Sequence, residues 1–195
     1  MLYKYRSIEN FKYFVDVILN NRLYAAPYFD LNDPMEGHYI YSSELISSDV
    51  IRKIKGEKEK LRIVSLSKNC ENTLMWTHYA SGHCGVVIGI EEDDKIYDIR
   101  NVNYSDEVFN IEQDIIHRDP EVAKQILTNK LSAWSYEEEK RIFVEDGSKY
   151  ANIEVKEIIM GSKMSTQNQC LIRELIKKIN PNIKVKKSQR LVFLA

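Results

Sequence analysis

An acidic segment near residue 138 holds the side chains that are best suited to do chemistry. Glu137 and Glu139 lie between two aromatic residues and Arg141, and the apolar run 142–144 follows them. That run is β-branched and aromatic, so it predicts a strand that begins near Arg141. Because side chains alternate along a strand, we expect Glu137 and Glu139 to point to the same side. One carboxylate of such a pair could act as a base or hydrogen-bond acceptor, and the alternative is a solvated acidic patch.

The aromatic segment 72–81 is a second candidate, and its spacing predicts a short helix. Trp76, His78 and Tyr79 can stack on a planar ring and form hydrogen bonds to it. An aromatic stripe of this kind also fits the core of a protein. The sequence leaves both interpretations open.

The turn 32–36 is a third candidate, since Pro34 restricts the backbone of Asp33. It either orders a connection between two elements or presents Asp33 or Glu36 at the rim of a cleft. With Glu137 and Glu139, these carboxylates could hold Mg²⁺, which gives an alternative hypothesis of a metal-dependent nuclease. The net charge of −1 gives such an enzyme no electrostatic attraction to DNA.

Other arrangements that carry chemistry are missing from the sequence or poorly spaced. Cys70, His78, His83 and Cys84 do not have the spacing of a zinc site, so we predict no metal. Cys84 leads into an apolar run, which favours an inert core thiol over a nucleophile. Neither a P-loop nor a dinucleotide fingerprint occurs, which disfavours kinase, ATPase and dehydrogenase functions.

Length and composition indicate one globular domain that spans residues 1–195. Hydrophobic residues make up 44% of the chain and charged residues 29%, as in ordinary globular proteins. The three cysteines, an odd number, argue against a disulfide framework and favour a reducing cytoplasm. No apolar run approaches the length of a membrane span, so we expect a cytoplasmic protein without a membrane partner.

The elements that must position these residues follow one another in mixed order. Strands are predicted at 2–6, 22–26, 61–67, 85–90, 141–144, 155–160, 183–185 and 191–194, with a hairpin or two short strands in 95–104. Helices are predicted at 7–20, 42–60, 72–81, 106–116, 121–131 and 165–179. Such an order predicts an α+β fold, with a mixed, largely antiparallel split sheet flanked by helices. The strongly apolar segment 85–90 is expected to be a central strand.

Several segments, taken in order, resemble a bacterial family catalogued as domain of unknown function 2971. They are Leu2-Tyr3-Lys4-Tyr5-Arg6, Arg22–Pro27, Asn32–Glu36, Ser65–Asn69, Leu74–Ala80 followed by His83 and Gly85, and Trp134–Ile142. The matching segments extend along the whole chain. Two mild departures occur, because Thr77 and Leu31 stand where the family usually shows Ser and Phe. The family name implies no activity.

A second resemblance, to one branch of the ADP-ribosyltransferases, implies a mechanism. That branch has an Arg on the first strand, then a Ser-x-Ser strand, then a Glu-x-Glu at the entry of a later strand. This chain has Arg6, Ser65-Leu66-Ser67 and Glu137-Glu138-Glu139 in the same order. The resemblance implies an ADP-ribosyltransferase-like fold with NAD as the substrate. A long gap with at least two predicted helices separates the serine and glutamate motifs, and this departs from the family pattern.

The same resemblance implies which residues bind the nucleotide. Arg6 would bind the pyrophosphate of NAD, since a planar guanidinium can donate to two oxygens at once. Ser65 and Ser67 would shape the nicotinamide pocket, and Tyr79 or Trp76 would stack on the ring. Tyr5 and His78 complete the expected set.

Catalytic roles follow from the resemblance as well. Glu139 would accept a hydrogen bond from the ribose and stabilise the positive charge that develops as the glycosidic bond breaks. Glu137 would position or deprotonate the accepting nucleophile, and Arg141 would keep the carboxylates ionised. Arg6 belongs to this catalytic set too, so the hypothesis requires Arg6 and Glu139 to face one cavity.

The leading hypothesis is therefore an NAD-consuming transferase or glycohydrolase. It would act on a macromolecular target, protein or nucleic acid, as an effector, a toxin or a component of phage defence. The alternative is a non-catalytic module that binds a nucleotide or a peptide in a cleft lined by aromatic residues. Those residues would be Tyr3, Tyr5, Trp76, Tyr79 and Trp134.

Overall fold

The structure, a computed structural model, describes residues 1–91, 95–112, 119–145 and 147–188. Its strands are β1 (Leu2–Arg6), β2 (Arg22–Tyr24), β3 (Ala26–Pro27), β4 (Tyr39–Tyr41), β5 (Arg62–Ser67), β6 (Val86–Glu91), β7 (Asp98–Asn101), β8 (Asn103–Ser105), β9 (Phe109–Ile111), β10 (Asn129–Leu131), β11 (Glu139–Val144), β12 (Tyr150–Asn152), β13 (Glu154–Met160) and β14 (Lys184–Lys187). Its α-helices are α1 (Phe11–Asn20), α2 (Ser48–Lys60), α3 (Thr73–Tyr79), α4 (Asp119–Ile126) and α5 (Thr166–Ile179). Two short 3₁₀ helices are formed by Tyr28–Asp30 and Ser132–Glu137.

The main sheet has the strand order β14-β13-β6-β1-β5-β11-β7. Its neighbouring strands are antiparallel except for the parallel pair β13 and β14. This arrangement confirms the predicted α+β class with a mixed, largely antiparallel sheet. Strand β6 pairs with both β1 and β13 and is buried from Val86 to Ile90, so the prediction of a central strand there is also confirmed.

The sheet opens between its first strand and β5. Strand β1 pairs with β5 only where Tyr3 faces Ser67. At the other end of β5, Ile63 and Arg62 pair with β3 instead. Among the described strands, none pairs with the edge of β5 between Ser67 and Ile63 on the β1 side, so the sheet is continuous through one residue pair and opens beyond it.

One face of the sheet carries the main hydrophobic core. Because side chains alternate, Leu2, Leu66 and Ile142 point to the same face of three adjacent strands. Helices α1 and α5 cover that face, with Phe14 and Ile172 fully buried in the same cluster. The apolar stripes of both helices are thus explained by a single layer of packing.

The opposite face alternates between apolar and polar packing. Tyr5 packs there against Met75 and Trp76 of α3. Towards the other side of that face, Ile63 and Phe143 pack with Ala123 of α4 and with Leu127, which directly follows that helix. Between the two clusters, the sheet presents four polar side chains, which are Ser65, Ser67, Glu139 and Arg141.

Several predicted elements have different bounds in the structure. The helix predicted at 42–60 begins only at Ser48, and the one predicted at 7–20 begins at Phe11, after the cap residue Asn10. The helix predicted at 106–116 is wrong in its described part, because Phe109–Ile111 pairs with β4 as a strand. Its residues 113–116, and the strand predicted at 191–194, lie outside the described residues.

Candidate functional site

A cavity of about 480 Å³ lies at the opening between β1 and β5. Both strands line it, together with the end of α3 and the loop that holds Leu31 and Asn32. Arg6 and Glu139 both line this cavity. By strand alternation they belong to opposite faces of the sheet, and they share the cavity because it lies where the strands separate.

Arg6 lines the cavity as a cation to which the described residues offer no carboxylate partner. Among the described residues, no ion pair involves Arg6, and its buried Nε has no hydrogen-bond partner. Burial lowers the pKa of this guanidinium, while the nearby Tyr13 acts in the opposite direction. An arginine stays charged at physiological pH even so. A cation without an ion pair in the described structure makes this part of the cavity suitable for an anionic group.

Lys130 also lines the cavity and is almost completely buried. Its Nζ donates to Glu137 Oε2 at 2.6 Å and to Glu139 Oε2 at 3.3 Å. It also lies 4.9 Å from the ring centre of Trp134, over the face of the indole. Glu137 and Glu139 are only 4% and 3% exposed, so their charges need such a partner to be tolerated.

Arg141 forms the inner part of the same cluster and is 0% exposed. Its Nη1 and Nη2 donate to Glu36 Oε2 and Oε1 at 2.8 and 2.6 Å. Its Nε and Nη2 donate to Glu139 Oε1 and Oε2 at 2.8 and 3.2 Å, and Nη1 also donates to the carbonyl of Leu127. All five N–H groups of the guanidinium are therefore satisfied.

The balance of charge keeps Glu139 ionised. Burial acts to raise the pKa of Glu139, but Arg141 and Lys130 outweigh it and hold the pKa at about 2, below the ordinary 4.5. The Ser65 hydroxyl contributes a further hydrogen bond to this carboxylate. In return, the carboxylates raise the pKa of Lys130 against the effect of its burial. Glu139 therefore carries a fixed negative charge around neutral pH.

The two glutamates converge for a reason that differs from the predicted one. The strand begins at Glu139 rather than near Arg141, and Glu137 is the last residue of a 3₁₀ helix. Glu138 between them adopts a left-handed backbone with φ 45°. The expected convergence is confirmed by the shared contact with Lys130, but a helix–turn–strand junction produces it instead of strand alternation.

Hydrogen-bond capacity distinguishes the two carboxylates. Glu139 accepts from Arg141 at both oxygens, from Lys130 and from Ser65. Glu137 accepts from Tyr79 Oη at 2.6 Å and from Lys130, one donor for each oxygen. A carboxylate offers about four lone-pair sites. Glu137 therefore has unused acceptor capacity at the cavity, whereas Glu139 is close to saturated.

The structure places the predicted nucleotide-binding residues in two groups. Tyr5, Ser65, Ser67 and Tyr79 line the cavity with Arg6. The hydroxyl of Ser67 accepts from the backbone N–H of Asn69, and Tyr5 donates to the carbonyl of that same residue. Both contacts fix the end of β5 against the segment that leads into α3.

The other two predicted residues do not line the cavity. Trp76 is 2% exposed, and its ring is stacked on His83 and packed edge-on against Tyr5. His78 lies beside Tyr79 and Tyr136. Of the two aromatic residues expected to stack on a ligand ring, Tyr79 is the one at the cavity.

The arrangement of carboxylates does not favour the nuclease hypothesis. In the described part of the chain, no group of three or more metal-ligating side chains could hold a metal ion. Glu36, Glu137 and Glu139 each bond to a buried cation of the protein. Asp33 accepts from the backbone N–H of Met35 and stabilises its own turn.

Sequence reasoning missed three residues of the site. Lys130 lies in a short strand without a recognisable motif, and Lys4 was seen only as part of the first strand. Asn32, at the predicted turn, donates from Nδ2 to Tyr79 Oη at 2.6 Å and connects the loop to α3. An isolated Lys or Asn carries no signal of its own in the sequence, since most such side chains are exposed.

The fold and the site together define an α+β protein with a split sheet and a charged cavity at the split. Residues 75–142 match the family described as "Protein of unknown function (DUF2971)". The predicted resemblance to this family is therefore confirmed over the segment that contains Tyr79, Lys130 and the acidic pair. Comparison with curated proteins and with solved structures finds no match. The resemblance to ADP-ribosyltransferases stays a prediction.

Among the described residues, none of the helices has both the length and the apolar character that crossing a bilayer requires.

Proposed function

We propose that this protein binds NAD in the cavity and breaks the bond between nicotinamide and ribose, as an ADP-ribosyltransferase or a glycohydrolase. The observation that carries the proposal is that Arg6, Ser65 and the pair Glu137/Glu139 line one cavity. These residues come from separate parts of the chain and are the ones that the mechanism needs. The volume of about 480 Å³ lies within the usual range for a small-molecule site.

Two groups of residues that line the cavity suit the two parts of the reacting nucleotide. The Arg6 guanidinium lines the cavity, and the described structure gives it no ion pair, so the diphosphate binds beside it. Tyr79 presents an aromatic ring beside Glu137, so the nicotinamide ring and its ribose lie at the acidic end. This orientation places the positive nicotinamide ring near the carboxylates and the negative phosphates near the cation.

The reaction needs negative charge that is fixed before the substrate arrives. As the bond from ribose C1′ to the nicotinamide nitrogen breaks, its electron pair leaves with neutral nicotinamide and C1′ becomes cationic. Glu139 stays ionised and supplies charge in a buried environment, where electrostatic stabilisation is strongest. The partners of Glu139 hold it in place but occupy its acceptor sites.

Glu137 is the carboxylate with acceptor capacity left for the substrate. In this proposal Glu137 accepts a hydrogen bond from the ribose or the proton of the attacking nucleophile. The nucleophile is water in a glycohydrolase, or an oxygen or nitrogen atom of a macromolecular target in a transferase. Its new bond to C1′ completes the exchange. This assignment shifts the substrate contact from Glu139, as the resemblance implied, to Glu137.

The biological role remains that of an effector, toxin or phage-defence component in the cytoplasm. Free thiols at Cys70, Cys84 and Cys170 are in keeping with a reducing compartment. The target is a protein or a nucleic acid that brings its nucleophile to the opening of the cavity.

A direct test measures nicotinamide release from NAD by the purified chain, alone and with a cell lysate that supplies targets. Wild type should bind NAD and release nicotinamide, and R6M should lose both activities. R6M is the sharpest variant because Arg6 has no ion pair to disrupt within the described structure. R52M, at an exposed position on α2, is the matched control and should behave as wild type. Absence of both NAD binding and nicotinamide release in wild type overturns the proposal.

The non-catalytic binding module is the second candidate, and one observation favours it. All three buried carboxylates of the cluster already have protein partners, as in a purely structural network. NAD binding that depends on Arg6, without nicotinamide release in any lysate, would establish this alternative.

A further inference from the structure

Lys4 is a second cation at the cavity, and the described structure gives it no carboxylate partner. Its Nζ donates to the backbone carbonyl of Ser65 at 2.8 Å, across the opening between β1 and β5. Lys4 and Arg6 both line the cavity, and by strand alternation they share one face of β1. A protonated lysine has three N–H donors, so the bond to Ser65 leaves two of them for a ligand.

The pKa of Lys4 is lowered both by burial and by the neighbouring positive charges. The charged and titratable groups that line the cavity with it are Tyr3, Tyr5, Arg6, Glu9, Tyr13, Tyr24, Asp30, Tyr79, Lys130, Glu137 and Glu139, and Arg141 also acts on it. Burial and then Arg6 lower the pKa of Lys4 from 10.5 to about 8, although Glu139 and Glu137 act to raise it. Tyr79 keeps its proton in this range because burial and Glu137 raise its pKa.

We propose that Lys4 and Arg6 together form a diphosphate subsite in which Lys4 takes up a proton as the anion binds. This inference rests on the proposed function and adds a residue that the three-motif resemblance does not contain. A bound anion stabilises the ammonium form of Lys4 and offsets the repulsion from Arg6. The carbonyl of Ser65 holds the amine at the opening in either protonation state.

The spacing of the two cations fits an extended anion with more than one charge. Residues two apart on a strand are about 7 Å apart along the backbone, so the two side chains can approach different phosphates. A single carboxylate would leave one of the two cations unpaired in a half-buried place, which is costly. The diphosphate of a dinucleotide satisfies both.

Isothermal titration with ADP-ribose tests the subsite, since its diphosphate keeps its charge from neutral to alkaline pH. Proton uptake is obtained by repeating the titration in buffers of different ionisation enthalpy. At a pH about one unit above 8, wild type should take up close to one proton per ADP-ribose, and much less at pH 6.5. K4R should bind ADP-ribose without this uptake, because arginine remains charged throughout.

K4M should weaken ADP-ribose binding by about tenfold or more, the usual loss for a hydrogen bond to a charged group. K184M, at an exposed position on β14, is the control and should change neither affinity nor proton uptake. A thermal melt of each variant separates a loss of binding from a loss of folding. Equal affinity and proton uptake in wild type, K4R and K4M would show that Lys4 only closes the edge of β5, and would overturn the subsite.

The outcomes also separate this inference from the proposed function. Binding of NAD and ADP-ribose with no role for Lys4 overturns the subsite and leaves the proposed function standing. Sulfate serves as a probe without a nucleotide. Sulfate binding with Lys4-dependent proton uptake, but no binding of either nucleotide, supports the cation pair and overturns NAD as the ligand. Absence of binding for all three probes overturns both.

Discussion

Arg141 and Glu36, 105 positions apart in the chain, form a two-point ion pair beneath the cavity, with N–O distances of 2.6 and 2.8 Å. Glu36 comes from the turn after the first short strands, and Arg141 from the middle of the sheet. The pair therefore fixes the loop that carries Asn32 against the floor of the site. Since both side chains are excluded from water, neither can lose its partner without a large cost.

Loss of this pair should destabilise the protein more than any change at its surface. R141M removes the cation from two buried carboxylates, and we expect the free energy of unfolding to fall by about 3–5 kcal/mol. Chemical denaturation of R141M and wild type measures this loss. The exposed pair of Arg52 and Asp49 provides the comparison, because R52M should cost at most about 0.5 kcal/mol. A similar small cost for both variants would contradict the structure of the cluster.

Stability should depend on acid pH through Glu139. Its pKa is lower in the folded chain, about 2, than the ordinary 4.5, so the unfolded state binds more protons between these values. The contribution of Glu139 is complete above pH 4.5 and is lost as the pH falls towards 2. The shift corresponds to a loss on the order of 3 kcal/mol.

Denaturation curves between pH 6 and pH 2 for wild type and E139Q measure this contribution. E139Q should be less stable at pH 6, because it leaves Arg141 and Lys130 with less negative charge. Its stability should also fall less steeply as the pH is lowered. Parallel pH profiles for the two proteins would show that Glu139 is not held ionised by its neighbours.

Substitutions of the two glutamates should have different effects on turnover. E137Q removes the carboxylate that has acceptor capacity left, so nicotinamide release should fall by about 100-fold or more while NAD still binds. E139Q should reduce both the stability and the rate of nicotinamide release. The Glu139 carboxylate that it removes holds Arg141 and Lys130 in place and also supplies negative charge to the site. Rates compared at a temperature where both variants are fully folded separate these effects. A larger loss of turnover in folded E139Q than in E137Q would return the substrate contact to Glu139.

Removal of the Tyr79 hydroxyl should loosen the loop on the cavity without removing the aromatic ring. Y79F loses the bond to Glu137 and the bond from Asn32, and we expect a loss of about 1–2 kcal/mol in stability. Hydrogen exchange at residues 31–36 should become faster. The Y136F variant is the comparison, as no hydrogen bond of its hydroxyl is found in the described structure. Unchanged exchange in Y79F would show that other contacts hold the loop.

The acidic pair shows where sequence patterns succeed and where they fail. The composition of the segment was enough to predict that Glu137 and Glu139 lie together at the start of a strand. Their contact through Lys130 required the fold, in which Lys130 lies on β10, a short strand that pairs in parallel with β8. Strand alternation was the wrong explanation, because the left-handed backbone at Glu138 separates Glu137 from the strand. That backbone conformation cannot be derived from the residue type alone.

The aromatic segment shows the same limit. Its helix and the cap at Asn72 follow from local chemistry, because the side chain of that residue accepts from the N–H groups of Leu74 and Met75. Which of its rings reaches the cavity depends on the direction in which α3 lies on the sheet. That direction sends Trp76 into the core and leaves Tyr79 at the opening.

By itself the sequence determined the α+β class, the main strands and the polar and aromatic residue types of the candidate site. These follow from periodicity, capping and composition, which act over a few residues. Only the tertiary structure decided that no described carboxylate pairs with Arg6, that Glu139 is close to saturated, and that Lys4 lies at the opening. Burial and charge pairing arise between segments that are distant in the chain, so no local pattern encodes them.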